Sequence, residues 1–207
     1  LEFITTLTDC VKASPSIPSP GQIANMLYLS KAMSSDSPEV SRMFKVIIDK
    51  AFQVEGRFSP RDLSKCVSSL RYIDVNYIEL QPLLPLLTTW FSRGLLKRHR
   101  LNTQDMEACL FGLRHIKCSD ENTRRLIQVF SEQMKLSKHK INQSAVVHAF
   151  HLLRSADCSH PEIQFFVEAL HDKIQMSNIK VKQRQGHIIY GLSYIQNPYP
   201  TIRPLIA

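Results

Sequence analysis

The sequence predicts an all-α protein, namely an α-solenoid of about five antiparallel helical hairpins with a period of about 40 residues. Three observations support this prediction. Apolar residues recur at helical spacing, the same pattern returns along the chain, and no run of alternating apolar residues is typical of a β-strand. One array is expected, with hairpins at approximately residues 22–56, 59–94, 102–136, 142–176 and 183–207. The chain begins without a methionine and stops within a helical pattern, so we expect it to be a segment of a longer protein.

The clearest hairpin runs from Thr103 to Met134. Its first helix, the A helix, carries one apolar stripe, formed by Met106, Cys109, Leu110, Leu113 and Ile116. Its second helix, the B helix, carries a stripe formed by Leu126, Val129, Phe130 and Met134. Thr103 and Asp120 are the expected N-caps, because short polar side chains accept hydrogen bonds from the free N–H groups of a first helical turn. Neither helix buries its stripe alone, so the hairpin requires neighbours.

These neighbours are present, because the first stripe recurs about every 40 residues. The clearest copies read CVSSLRYI, CLFGLRHI, AFHLLRSA and IIYGLSYI and begin at Cys66, Cys109, Ala149 and Ile188. A weaker copy lies between Ile23 and Met33, with Ser30 at the position that leucine holds in the other copies. Two alignments of this copy with the others, one residue apart, are open. Self-similarity of this kind is typical of stacked helical repeats.

The remaining elements follow from prolines and capping residues. Residues 1–11 are expected to be the tail of a preceding helix, and residues 13–21 a linker, because the prolines there prevent helix continuation. Caps followed by an early proline are expected at Ser37-Pro38-Glu39, Ser59-Pro60 and Ser159-His160-Pro161. Pro82 and Pro85 interrupt an apolar run, so the B helix of the second hairpin either begins at Pro82 or is kinked there.

No pattern in the sequence indicates an enzyme. There is no Gly-rich phosphate loop, nucleophile motif or pair of catalytic carboxylates, so we expect neither a cofactor nor a small-molecule substrate. His148 and His151 are three residues apart and could share one helix face, but no further ligand pair lies at matching spacing. We therefore expect no metal site and assign the eight histidines structural or solvent-exposed roles.

The cysteines and the hydropathy indicate a reduced protein without a membrane span. None of the five cysteines forms a CxxC pair, and Cys66 and Cys109 occupy the same stripe position. Both are therefore expected to be small core residues in a reducing compartment. No apolar stretch approaches the ~18 residues that a membrane span needs.

The charge is the most informative feature for function. Lys and Arg number 26 against 18 acidic residues, which gives a net charge of +8 and a pI of about 9.4. One set of cations lies one residue past the leucine position in successive copies; this basic column comprises Lys31, Arg71, Arg114 and Arg154. A second set, the edge clusters, occupies three connections between hairpins and comprises Arg93, Lys97, Arg98, Arg100, Lys135, Lys138, Lys140, Lys180, Lys182 and Arg184.

Several explanations of these cations are open. The helix dipole stabilises a cation near a helix C-terminus by about 0.3–1 kcal/mol, with no ligand required. A regular row of cations is also what a polyanion with regular phosphates selects, so our first hypothesis is that both sets bind single-stranded RNA. The second is a protein-binding scaffold, which an exposed patch of Trp90, Phe91, Phe165 and Phe166 would favour. A third, minor hypothesis is an enzyme whose catalytic domain lies outside this segment.

The segments 101–134 and 141–174 resemble the repeats of organellar RNA-binding proteins. The similar families are the octotricopeptide and heptatricopeptide repeat proteins and the FAST-kinase-like group. The shared features are a capped A helix that ends in a small residue followed by leucine, as in Gly112-Leu113 and Gly191-Leu192, and a B helix opened by Asp or Ser and often Pro. No RAP-type module is visible.

The resemblance implies a mitochondrial or plastid protein that acts on RNA within a ribonucleoprotein complex. The implied roles are transcript stabilisation, processing or editing, or a place in an organellar ribosome.

Overall fold

The computed structural model describes residues 2–29, 33, 37–73, 80–94, 100–154 and 156–179. Within these ranges all regular structure is α-helical, in nine helices, which confirms the all-α class. The helices are α1 (Glu2–Ala13), α2 (Pro20–Tyr28), α3 (Pro38–Ala51), α4 (Pro60–Ser69), α5 (Leu83–Gly94), α6 (Thr103–Leu113), α7 (Glu121–Leu136), α8 (Gln143–Leu153) and α9 (Pro161–Ser177). The predicted hairpin at 183–207 lies outside the described residues.

The described helices pack in two rows. Helices α2, α4, α6 and α8 contact one another in succession and form the A row. In the B row, α1 packs on α3, and α5, α7 and α9 pack in succession, whereas no comparable contact joins α3 to α5 among the described residues. Apart from that junction, helices of one row pack more closely than an A helix and the B helix that follows it. Apolar side chains from both rows join in one buried cluster.

The apolar stripes of the predicted hairpin form part of this core. Met106, Cys109, Leu110 and Leu113 are fully buried, and so are Leu126 and Met134 on α7. Burial raises the pKa of the Cys66 and Cys109 thiols, so both stay protonated and act as small apolar residues, as predicted. None of the described helices is long and apolar enough to cross a membrane.

Side-chain caps fix most of the helix starts, with three corrections to the prediction. Ser19, inside the predicted linker at residues 13–21, is the N-cap of α2, which begins at Pro20 because proline is tolerated at the first position of a helix. Asn102, and not Thr103, is the N-cap of α6; Thr103 is the first helical residue, and its hydroxyl donates to the Lys140 carbonyl oxygen at 2.6 Å. At α9 the N-cap is His160, not Ser159, because the helix begins one residue later, at Pro161. Asp120 caps α7 as predicted and accepts from the Thr123 N–H at 2.8 Å.

Replacing Asn102 by alanine is expected to lower the free energy of unfolding by about 1 kcal/mol. The Asn102 side chain accepts from the Asp105 N–H at 2.9 Å, while the Asp105 carboxylate accepts from the Asn102 N–H at 3.1 Å, so the change breaks a reciprocal capping box. Ser37→Ala is the matched control, because Ser37 is the N-cap of α3 without a side-chain cap hydrogen bond. Urea denaturation of both variants measures the difference, and equal losses would contradict the assignment.

The two prolines of the second hairpin lie at the start of its B helix. Helix α5 begins at Leu83, so Pro82 precedes it and Pro85 lies in its first turn, where a missing N–H removes no helical hydrogen bond. Of the two predicted alternatives, the structure therefore agrees with a helix that starts at the prolines, although its first residue is Leu83 and not Pro82.

Most of the aromatic residues that an exposed patch would require are buried. Trp90 stacks on Phe58 with 4.0 Å between ring centres, and Phe91 and Phe166 are fully buried. Phe165 is half-buried, and the Lys135 Nζ lies 4.2 Å from its ring centre. These four residues therefore form no apolar patch for a partner protein.

Candidate nucleic-acid interface

Two arginines of the basic column meet on the A row. Arg114 is the C-cap of α6, and Arg71 lies in the turn just after α4. Arg71 Nη1 lies 2.9 Å from Nε2 of His115, and Arg114 Nε lies 3.0 Å from the same atom. Equivalent repeat positions thus bring the two guanidinium groups to one imidazole, as expected for a column.

A glycine makes this meeting possible. Gly112 lies where α6 crosses α4, and a Cβ atom there would overlap the Val67 carbonyl oxygen and lie 2.7 Å from the Cα of Ser68. Both obstacles are backbone atoms, which cannot rotate aside. The absence of a side chain therefore lets the two helices approach closely enough for Arg71, one turn beyond Val67, to reach His115 on the neighbouring element.

Phe111 lies between the same charges. The guanidinium carbons of Arg71 and Arg114 are 4.6 and 4.5 Å from the centre of its ring, distances typical of cation–π contacts. The centre of the Tyr72 ring lies 6.4 Å from that of Phe111, and the rings of His148 and Phe111 form a T-shaped pair with 5.3 Å between centres. The surface therefore combines arginine cations with half-buried aromatic rings. Proteins bind single-stranded nucleic acids with such side chains, the cations contacting the phosphates and the rings stacking on the bases.

The hydrogen bonds determine the protonation of both histidines. Arginine has only donors, so His115 Nε2 must accept, which leaves this imidazole neutral with its proton on Nδ1. His148 Nδ1 likewise accepts from Arg114 Nη1 at 3.1 Å, so its proton is on Nε2, which lies 3.4 Å from the Ser144 hydroxyl. Burial lowers the pKa of both side chains; Arg71 and then His151 lower that of His115 further, whereas Glu107 opposes the lowering at His148.

Few acidic groups balance this positive charge. In the part of the chain that the structure describes, neither Arg71 nor Arg114 forms an ion pair with a carboxylate. Glu107 is the acidic group that acts on His148, and its Oε2 accepts from the Asn142 side chain at 2.6 Å. Among the described residues the two guanidinium groups therefore have neutral acceptors only, and an anion offers them stronger ones.

The rest of the basic column is less well defined. Arg154 is exposed at the C-cap of α8, the position that Arg114 holds on α6, one helix further along the A row. Lys31 lies outside the described residues. The described part of the column thus spans three consecutive A helices.

The edge clusters are only partly described, and one member is already paired. Lys135 forms an ion pair with Glu168 at 3.2 Å, and Arg100 Nη1 lies 3.4 Å from the Gln133 amide oxygen. Arg93, Lys138 and Lys140 are exposed. The other members, outside the described residues, are Lys97, Arg98, Lys180, Lys182 and Arg184.

The sequence reasoning missed four residues of this site, namely Tyr72, Phe111, His115 and His148. A signal was present in the repeated strings, where Arg71 and Arg114 are each followed by a ring, and where Phe111 aligns with His151. His115 stood alone in the sequence, and His148 was considered with His151 only as a metal-ligand pair, so neither was assigned a role in binding. Among the described residues no group of three or more His, Cys, Asp or Glu side chains is arranged to hold a metal ion.

The site consists of two guanidinium groups that form no ion pair within the described ranges, two neutral imidazoles and two aromatic rings on consecutive A helices. Such a surface binds anions through donors and flat groups through stacking. Comparisons with protein-family models, with curated proteins and with solved structures found no match to this chain.

Proposed function

We propose that this chain is a non-enzymatic, helical-repeat RNA-binding protein that holds single-stranded RNA along its A row. In this proposal it acts in a mitochondrion or another organelle, in RNA stabilisation, processing or editing, as the resemblance to octotricopeptide, heptatricopeptide and FAST-kinase-like repeats implies. The two rows belong to an α-solenoid of about five hairpins. Helix starts at Pro20, Pro60, Thr103 and Gln143 support a period of about 40 residues.

One observation carries the proposal: Arg71 and Arg114 converge beside Phe111 and are satisfied by imidazole nitrogens, without a carboxylate in the described residues. A guanidinium fork matches the geometry of a phosphate, and a phosphate oxygen is a stronger acceptor than an imidazole nitrogen. Neighbouring helices of a row lie about 8–10 Å apart, so cations at equivalent positions form a regular series. A single strand presents phosphates in a regular series too, and its bases can stack on rings.

The alternative is a protein-binding scaffold subunit of a large ribonucleoprotein, such as a mitochondrial ribosome or an RNA-editing complex. It is favoured by apolar side chains at the C-terminal ends of three B helices: Phe52 is 58% exposed, Leu136 53% and Met176 40%. Phe52 is the C-cap of α3, Leu136 is the last residue of α7 and Met176 is the next to last residue of α9. An exposed apolar patch is typical of a protein contact, and these side chains would supply part of one.

Replacing Arg71, Arg114 and Arg154 together by glutamine is expected to weaken RNA binding across sequences. Each phosphate that loses its cation lowers the slope of log K against log salt by about 0.7 for a single strand. The slope should therefore fall by about 2 if each arginine binds its own phosphate, and by about 1.4 if Arg71 and Arg114 share one. Fluorescence anisotropy with single-stranded oligonucleotides over a salt series measures both quantities.

The matched control replaces Arg42, Lys45 and Arg125 by glutamine. These residues lie on the B row and form exposed ion pairs with Asp9, Asp49 and Glu121, so the control removes the same charge from a different face. It should retain most of the affinity and the salt slope. If the A-row variant binds RNA as tightly as the parent, with an unchanged slope, the proposal fails and the scaffold alternative takes its place.

A further inference from the structure

We propose that Arg71 and Arg114 bind one phosphodiester of the RNA backbone in the place where they bind His115 and His148 in the free protein, so that RNA binding releases both imidazoles and takes up protons. This inference rests on the proposed RNA-binding function. It adds the position of one phosphate, the groups that the phosphate displaces and a dependence of affinity on pH.

The hydrogen bonds of the free site identify the position. Arg71 and Arg114 share a single lone pair, that of His115 Nε2, at 2.9 and 3.0 Å. Two donors on one neutral acceptor are poorly satisfied compared with two guanidinium groups on a phosphodiester, which offers two charged oxygens. The distance from Arg114 to His148 Nδ1, 3.1 Å, places a second acceptor beside the first. The imidazole nitrogens thus mark where phosphate oxygens fit.

A released imidazole is surrounded by a defined set of charged groups. Arg71 approaches from the end of α4, Glu107 and Arg114 from α6, and His151 from α8. In the free protein these cations outnumber Glu107, the one carboxylate in this set of described groups, and each imidazole accepts a hydrogen bond from a guanidinium through its lone pair. A bound phosphodiester neutralises part of that charge and frees the lone pair. When a released imidazole is protonated, it gains a second N–H donor beside the bound phosphodiester anion.

The neighbouring rings favour a nucleic-acid source for the phosphate. Phe111 lies next to both guanidinium groups, and Tyr72 lies 6.4 Å from Phe111. A base on either side of the bound phosphodiester can stack on these rings or on a guanidinium plane. An isolated inorganic phosphate would use the arginines alone and gain nothing from the rings.

Oligouridylate without a terminal phosphate is the suitable probe, because neither its bases nor its phosphodiesters titrate near neutral pH. For every proton that binding takes up, lowering the pH by one unit raises the affinity by up to about tenfold. We expect binding to be about 3- to 10-fold tighter near pH 6 than near pH 7.5, around the ordinary histidine pKa. Calorimetry in buffers with different heats of ionisation counts the protons directly.

The variant that tests the mechanism is His115→Gln with His148→Gln. A glutamine amide oxygen accepts from the same guanidinium groups but does not titrate, so proton uptake and the tightening of binding between pH 7.5 and pH 6 should both be lost, whatever the affinity of the variant at pH 7.5. The control is His139→Gln with His171→Gln, which changes two histidines outside the cluster. This control should keep the full pH dependence.

The possible outcomes separate the two proposals. If RNA binding is insensitive to the three A-row arginines, the proposed function fails, and this inference fails with it. If binding depends on the arginines but takes up no protons, or if the double glutamine variant takes up as many as the parent, this inference alone is overturned. Nitrogen-detected NMR of the free protein gives an independent check: a proton on Nε2 of His115 would also overturn it.

Discussion

Replacing Gly112 by alanine is expected to destabilise the protein by about 2–3 kcal/mol and to weaken RNA binding at the same time. The new methyl group meets the Val67 carbonyl oxygen and the Cα of Ser68, so α4 and α6 must move apart. The separation opens the packed interface between them and carries Arg71 away from His115. Urea denaturation measures the first effect, and anisotropy with single-stranded RNA the second.

Gly21→Ala is the matched control. Gly21 is also helical, in the first turn of α2, but the nearest atom to its added Cβ is an Asp62 carboxylate oxygen at 3.8 Å, an ordinary contact. Alanine has the higher helix propensity, so this change should leave stability unchanged or raise it by up to about 1 kcal/mol. If Gly112→Ala behaved like Gly21→Ala, the close crossing of α4 and α6 would be disproved.

Replacing Phe130 by alanine is expected to lower the free energy of unfolding by about 3–5 kcal/mol, the largest loss of the variants considered. Phe130 on α7 is 1% exposed, and its ring meets that of Phe91 on α5 edge to face, with 6.3 Å between centres. The change leaves a cavity at the contact between two consecutive B helices.

Phe52→Ala serves as the control for Phe130→Ala, because the same atoms are removed from a side chain that is 58% exposed. Its effect should stay within about 0.5 kcal/mol. Circular dichroism during urea denaturation compares the two variants. Similar losses would show that the α5–α7 contact is not packed as described.

The helices were predictable because helix formation depends mainly on local patterns. The stripe that contains Met106 and Leu113 predicted α6, and Asp120 predicted the start of α7. The α6 cap was missed by one residue because Asn102 and Thr103 are both good caps, and only the reciprocal contact with Asp105 distinguishes them. Local propensity does not determine which of two adjacent polar residues completes that contact.

The site was predictable in part, for a different reason. Repeat spacing placed Arg71 and Arg114 in one column, since equal positions in a repeat have equal orientations. The roles of His115 and His148 depend on contacts between consecutive A helices, and therefore on how closely the helices approach. That distance is set by Gly112, whose effect appears only when two helices are packed together.

The looser packing between α3 and α5 has a mechanical consequence. Consecutive A helices stay in close contact from α2 to α8, whereas the B row is packed least tightly at that one junction. We therefore expect a bend of the described helices to open or close mainly at this junction. The spacing of the A helices should change little in such a bend, so an RNA strand bound along them as proposed would keep its length while the outline of the protein changes.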